Sequence, residues 1–391
     1  MKASHPVLQT PFRKYPRLAV ATLVVGSLVS LTACGGGGAD AGAPAPENPI
    51  AVGEFPEYYP ADYQSIIDAA EQEGGELSIY SNTDQENWAP LFRDFQKKYP
   101  FVTKISASNL DSDEVFQKAL SEQATGSSPA DIFVSNATGA WADFAEREGT
   151  LLEYESPEIA ELPEFAQLLP GVVAMSADPQ TIAYNTTLLE EEPTSLASFA
   201  EQIAADPGKF ENMIGVRDVT GAFGFTMFYN LTKNKPEAWD SLDDILAASR
   251  PETSSGTLSE KVLAGEYVAG VLVTAAPAFP VVKNSGGLFD INLPSDGTVV
   301  IPRGLGIAAE APHKATAQLF TDFVLSEEGQ QAVLEGGLSS YRDGVESVEL
   351  AYTYQDVIDE VGEDNVILAP YEVVPEADVE AFTTRWNGLL K

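Results

Sequence analysis

The stretch "VRDVTGAFGF", residues 216–225, runs from an apolar strand pattern into the start of a helix. Thr220, Gly221 and Ala222 fall at the turn between them. A helix start exposes backbone N–H groups at the positive end of the macrodipole, and a glycine there lets a ligand approach the backbone closely. Thr220 adds a hydroxyl donor. A turn of this kind can cradle an anion. Arg217, three residues before Thr220, is either a fixed cation for the same ligand or half of an ion pair with one of many acids; both readings stay open. Other strand ends carry similar polar groups. Ser81, Asn82 and Thr83 close "ELSIYSNT", and Ser135 with Asn136 close "ADIFVSN". Ser255 and Gly256, in "TSSGTL", open another helix, and Thr274 ends "EYVAGVLVT". Arg303 and Arg342 are weaker candidates for a fixed cation. Trp141, Tyr184 and Phe223 are placed either against a solute or in the core.

Catalytic chemistry finds little support. The chain has two histidines, His5 and His313, and one cysteine, Cys34. No nucleophile–histidine set with more than one histidine can be built from the mature chain. His313, in "APHKATAQLF", reads as a surface residue at a helix start. No HExxH, phosphate-loop or zinc-type spacing occurs. "DSDE", residues 111–114, lacks the glycine and the spaced final acid of a calcium loop, and helix capping accounts for it. Carboxylates are so plentiful that spacing alone nominates no acid–base pair. No enzyme, cofactor or metal is expected.

These turns need strands and helices to position them, and the chain supplies both in alternation. "DYQSIIDAAEQEGG" has helical spacing and stops at Gly74 and Gly75; "ELSIYS" reads as a buried strand. "QENWAPLFRDFQKKYP" puts Trp88, Leu91, Phe92 and Phe95 on one helical face. "FVTKISAS" and "ADIFVS" are further strands, each followed by a helix, the second of these closed by Gly149. "QTIAYN", "NMIGVRD", "EYVAGVLVTA" and "GTVVIPRGLGIAA" continue the series, and two helical segments follow from His313. Such alternation predicts an α/β fold with a parallel or nearly parallel sheet.

The amino terminus is an address. Lys2, Arg13, Lys14 and Arg17 precede "LAVATLVVGSLVSLTA", residues 18–33. A bilayer-spanning helix needs roughly 20 apolar residues. A shorter run behind basic residues predicts a secretory signal, with a membrane anchor as the alternative. Leu31, Thr32 and Ala33 before Cys34 resemble the lipobox of bacterial lipoproteins, which implies cleavage before Cys34 and acylation of its thiol. Ordinary secretory cleavage near Ala33 is the other reading. The following "GGGGADAGAPAPENPIAVG" has no apolar period and reads as a tether. The whole chain sets 22 Lys and Arg against 59 Asp and Glu, a net charge of −37. That balance argues against a nucleic-acid partner, whose binding needs a cationic surface. At 44% hydrophobic residues, the rest of the chain can build a full core.

Five stretches resemble the extracellular solute-binding proteins of ABC importers, the ferric-iron-binding branch above all: "ELSIYSNTDQENWAPLFRDFQKKYP", "SSPADIFVSNATGAWADFAEREGTLLE", "TIAYNTTLL", "IGVRDVTGAF" and "AQLFTDFVLSEEGQQAVL". The resemblance spans about residues 76–345. It implies a two-lobed, type II periplasmic-binding-protein-like α/β fold, with the ligand cleft between lobes and two crossover hinge strands near residues 175 and 298. The expected organisation is a lipoprotein signal at 1–33, a tether at 34–56, lobe 1 at 57–175 with 299–345, lobe 2 at 176–298, and a C-terminal segment at 346–391 packed on the lobes. It also implies a membrane partner, an ABC permease with its ATPase, and a place on the extracytoplasmic face of the cell membrane.

The iron-binding branch implies specific ligands, and this chain departs from them. The positions of its histidine, carboxylate and tyrosine pair fall at or near Asp84, at Asn136, and at Ala275 with Ala276. Alanines cannot ligate Fe³⁺. The expected solute is therefore a small anionic organic molecule, phosphonate- or carboxylate-like. It would be bound by Ser81, Asn82, Thr83, Ser135, Asn136, Tyr184, Arg217, Thr220, Gly221, Ala222, Ser255 and Thr274. Ferric iron or another metal is the alternative within the binding class. A surface sensor or enzyme is the alternative outside it.

Overall fold

The computed structural model describes residues 55–349 and 351–390. The expected signal peptide, Cys34 and all but the last two residues of the tether lie outside the described residues. In chain order the elements are α1 (Gln64–Gln72), β1 (Glu76–Ser81), α2 (Gln85–Lys98), β2 (Lys104–Asn109), α3 (Glu114–Gln123), β3 (Ile132–Ser135) and α4 (Thr138–Ala145). Next come β4 (Gln167–Leu169), β5 (Val172–Asn185), α5 (Leu196–Ala205), α6 (Pro207–Phe210), β6 (Ile214–Arg217), α7 (Ala222–Asn234) and α8 (Ala238–Ala247). Then follow β7 (Ser249–Glu252), α9 (Ser255–Leu263), β8 (Ala269–Thr274), α10 (Ala275–Asn284), β9 (Phe289–Asn292) and β10 (Thr298–Ile307). The chain closes with α11 (Lys314–Leu325), α12 (Glu327–Glu335), α13 (Tyr354–Val361), β11 (Val366–Leu368) and α14 (Glu376–Leu389).

The strand order is β2-β1-β3-β10-β5-β8-β6-β7, with β11 beside β10 and β4 and β9 beside β5. The expected parallel sheet holds only in part, because each lobe mixes parallel and antiparallel pairs. The β1–β2, β1–β3, β6–β7 and β6–β8 pairs are parallel, but β10 runs antiparallel to β3 and β5, and β5 antiparallel to β8 and β9. The reason is topological: β5 carries the chain out of one lobe and β10 carries it back. Residues 172–179 of β5 pair along β10, and residues 180–184 pair with β8. Every residue of both strands is buried.

Each lobe has its own core. In the first, Trp88, Leu91 and Phe95 of α2 are fully buried, and Phe95 meets Phe320 of α11 edge-on at 4.9 Å. Gly329, in "LSEEGQQ", lets α12 turn tightly against α11, because a Cβ there would lie 1.7 Å from the Phe323 carbonyl oxygen. In the second lobe, Phe228 of α7 packs on Trp386 of α14 at 4.4 Å, so the chain's last helix completes this core. His313 departs from its expected surface place. Its ring is 24% exposed, and Nδ1 lies 3.1 Å from the fully buried Asp131 carboxylate.

A buried carboxyl also makes stability pH-dependent. Asp322 of α11, 1% exposed, accepts hydrogen bonds from Tyr63 and Tyr154 at 2.7 Å each, while its Oδ1 has no partner. Burial raises its pKa from 3.8 to about 6 against those hydrogen bonds. The folded state therefore holds the proton more tightly than the unfolded chain. Its contribution is fully present below pH 4 and is lost as pH rises through 6. At about 1.4 kcal/mol per unit, the loss is about 3 kcal/mol. Urea unfolding at pH 4 to 8 is expected to show wild type losing stability relative to Asp322→Asn across that window. A difference that stays flat with pH contradicts this.

Candidate functional site

The parallel strands of each lobe end at the same cleft, a cavity of about 770 Å³. Ligands of open α/β sheets collect at such strand ends because the loops and helix starts converge there. One wall comes from the β1–α2 and β2–α3 turns and Asn136. The facing wall comes from the β6–α7 and β7–α9 turns and the β8–α10 junction, and Arg303 of β10 forms part of the floor. Five helices begin at the cleft, with Asp84, Asp113, Gly221, Ser254 and Thr274 as N-cap residues. Only Ser254 caps its own helix through its side chain, accepting from the Thr257 N–H at 3.0 Å. The other starts direct uncapped N–H groups and positive dipole ends toward this end of the fold.

Arg217 ends β6 just where the strand leaves the core. One guanidinium N–H donates to the Thr253 carbonyl, and the group sits 5.4 Å from the centre of the Phe223 ring. Its Nε is out of solvent and has no partner, and no carboxylate pairs with it among the described residues. The ion-pair reading of Arg217 is thus not the one the fold adopts. Burial lowers its pKa to about 10, opposed by Asp111 and Asp218. It stays cationic at neutral pH.

The β6–α7 turn is more tightly built than its sequence suggests. The Thr220 N–H is already taken by Asp218 Oδ1 at 2.9 Å, so its exposed hydroxyl is the group left for a ligand. Gly221 has an ordinary extended conformation. The strict demand falls on Gly224, where a Cβ would stand 2.1 Å from the Asp218 carbonyl oxygen.

Arg303, read from sequence as a weaker candidate, is buried on the cleft floor at 5% exposure. Nε and one terminal nitrogen donate to Asp178 Oδ2 at 3.2 and 3.0 Å. The other terminal nitrogen donates to Asn82 Oδ1 at 3.0 Å and Thr83 Oγ1 at 3.1 Å, and Asn82 in turn donates to Asn136 at 2.7 Å. Farther along β5, the Gln180 amide donates to the Asp178 carbonyl and accepts from the Thr274 hydroxyl at 2.9 Å. The Thr274 and Ser255 hydroxyls lie 3.3 Å apart. Buried hydrogen bonds therefore join both cleft walls to the two crossover strands.

Of the residues nominated from sequence, Asn82, Thr83, Asn136, Arg217, Thr220, Gly221, Ala222, Ser255 and Thr274 line this cavity together. Three nominated residues do not. Ser81 and Ser135 are fully buried last residues of their strands. Ser81 Oγ accepts from the Thr83 N–H at 2.8 Å, and Ser135 Oγ donates to the Ser112 carbonyl at 2.8 Å. Tyr184 lies in the second core, four residues along β5 from Gln180, and burial pushes its hydroxyl pKa up to about 12. Trp141 is core as well, its ring N–H donating to the Ser135 carbonyl, whereas Phe223 reaches the cleft. Arg342 is elsewhere, paired with buried Glu158 at 2.8 Å. Asp111, Asp113 and Asp218 line the cleft and were not nominated. The capping explanation of "DSDE" is not borne out: Asp113, the N-cap of α3, makes no side-chain capping bond, and Glu114 accepts instead from the Asp111 N–H at 3.3 Å. Ala275 and Ala276 begin α10, and no group of three or more potential metal ligands occurs among the described residues.

Residues 91–358 match the family described as bacterial extracellular solute-binding protein. The Iron uptake protein A1 of Synechocystis sp. is 26% identical over 278 residues, covering 65% of this chain and 72% of that protein. Among solved structures, the substrate-binding protein of an ABC transporter from Agrobacterium tumefaciens superposes with a TM-score of 0.72 at 19% identity, over 81% of this chain and 95% of that one. Iron-bound HitA from Pseudomonas aeruginosa gives a TM-score of 0.62 at 21% identity, over 80% and 99%. AfuA from Actinobacillus pleuropneumoniae, with fructose-6-phosphate bound, gives 0.62 at 20%, over 81% and 98%. At these identities the structural likeness establishes the fold, a two-lobed type II periplasmic-binding-protein architecture.

Proposed function

The chain belongs to the bacterial extracellular solute-binding protein family, and we propose that it is the lipid-anchored receptor of an ABC importer for a small anionic organic solute. Arg217 carries this reading: a half-buried cation on the cleft wall, without a carboxylate partner, surrounded by helix starts and hydroxyls. A buried charge calls for a partner, and an anionic ligand supplies one. Lobe 1 comprises residues 57–175 and 299–345, lobe 2 residues 176–298, and β5 and β10 are the hinge. The solute binds one lobe, and contacts from the other favour the closed form that the permease recognises. Acylated Cys34 holds the receptor at the outer membrane face. Uptake of iron, in the manner named for the Synechocystis relative, is the second reading. Ala275 and Ala276 at the start of α10 supply no phenolate for it.

Thermal unfolding in the presence of phosphonates, phosphate esters, carboxylates, sugars and metal ions tests the anion reading. A ligand that binds only the folded state at a hundred times its Kd stabilises by about 2.7 kcal/mol. An organic anion is expected to raise the transition. A rise with a sugar or metal cation, and with no anion, contradicts the proposal.

A further inference from the structure

The charges in the cleft do not suit a simple anion. Six charged side chains reach it: Asp84, Asp111, Asp113, Asp218, Arg217 and Arg303. Three of these are satisfied within the protein. Arg303 is paired with Asp178, Asp84 accepts from the Asn109 amide at 2.8 Å, and Asp218 accepts from the Thr220 N–H. Arg217, Asp111 and Asp113 are left, the cation on one wall and the carboxylates on the other. Two atoms in this set are out of solvent contact with no hydrogen-bond partner: Arg217 Nε and Asp113 Oδ1. They carry opposite charge and come from facing turns. Burial raises the Asp113 pKa, and the neighbouring Asp111 raises it further, as befits a carboxylate without a counter-charge.

A solute bearing only negative charge would satisfy Arg217 and be repelled by Asp111 and Asp113. We infer that the solute is dipolar, with its anionic group at Arg217 and a protonated amine at Asp111 and Asp113. This rests on the anion reading above and narrows it. A site built for both ends rejects an analogue lacking one, because that analogue leaves a buried polar group unpaired. Asp111 and Asp113 are then specificity residues of the cleft.

Matched pairs of probes test this on the purified full chain: butyrate against 4-aminobutyrate, and propylphosphonate against 3-aminopropylphosphonate, by titration calorimetry. The amine-bearing member is expected to bind about 10- to 100-fold more tightly, the range for one charged hydrogen-bonding group. In Asp111→Asn/Asp113→Asn, which keeps side-chain shape, that preference should fall to about twofold or less. The single variants should fall between, and the unfolding transition of each variant serves as the folding control. Equal binding of a pair by the native protein, or a preference unchanged in the double variant, overturns the inference and leaves the anion reading standing. So does an anion without a basic nitrogen that binds more tightly than either amine. No binding by any anion overturns both.

Discussion

Arg217→Ala is expected to weaken capture of the anionic solute by about 30- to 1,000-fold, the equivalent of about 2–4 kcal/mol. The reason lies in what surrounds the guanidinium. Its backbone hydrogen bond to Thr253 and its place against Phe223 hold it still, and among the described residues no carboxylate forms an ion pair with it. A fixed cation with an unpartnered nitrogen loses little ordering entropy on binding an anion. Arg217→Lys keeps the charge but loses the planar fork and the stacking, so it should bind with intermediate affinity. Neither change should lower the unfolding midpoint of the ligand-free protein much, because the guanidinium is desolvated and makes no ion pair among the described residues. Titration calorimetry with the best anion checks this. Affinity unchanged in Arg217→Ala contradicts the assignment.

The second large effect concerns stability. Asp178→Ala removes the partner of Arg303 where the two side chains are 2% and 6% exposed. Breaking a buried pair leaves an unpaired charge and typically costs about 3–5 kcal/mol. Further bonds fall with it, because Asp178 also accepts from the Ser176 hydroxyl and the Ser339 N–H, each at 3.1 Å. Arg303 would then lose its anchor while still holding Asn82 and Thr83, so solute affinity should drop too. Asp178→Asn keeps an acceptor and should cost less. The double change Asp178→Ala/Arg303→Met should recover part of the loss, because no buried charge is stranded. Urea unfolding measures all three. A loss of less than about 1 kcal/mol in Asp178→Ala would place the pair outside the working part of the fold.

Much of this architecture is legible in sequence because it is local. Trp88, Leu91 and Phe95 recur at helical spacing, and the buried strands announce themselves as apolar runs. The cleft residues follow a local rule as well: Asn82, Asn136, Thr220 and Thr274 all lie where a strand gives way to a helix. Ser81 and Ser135 show its resolution limit, since each is the last residue of its strand and points into the fold. Tyr184 fails for a related reason, because β5 continues as a buried strand and keeps that ring in the core. Sheet direction was not legible, since β5 and β10 pair across more than a hundred residues of sequence. The same distance hid the Arg303–Asp178 pair. Asp111 and Asp113 were obscured by abundance: among 59 acids, nothing local distinguishes two that face a cation across a cleft.

The most direct measurement is the identity of the solute that co-purifies with the full chain from its native cells, released by mild denaturation and identified by mass spectrometry beside the Arg217→Ala protein. A single small organic anion is expected, retained by the wild type and missing from the variant. A metal ion or an uncharged sugar retained equally by both proteins would contradict it.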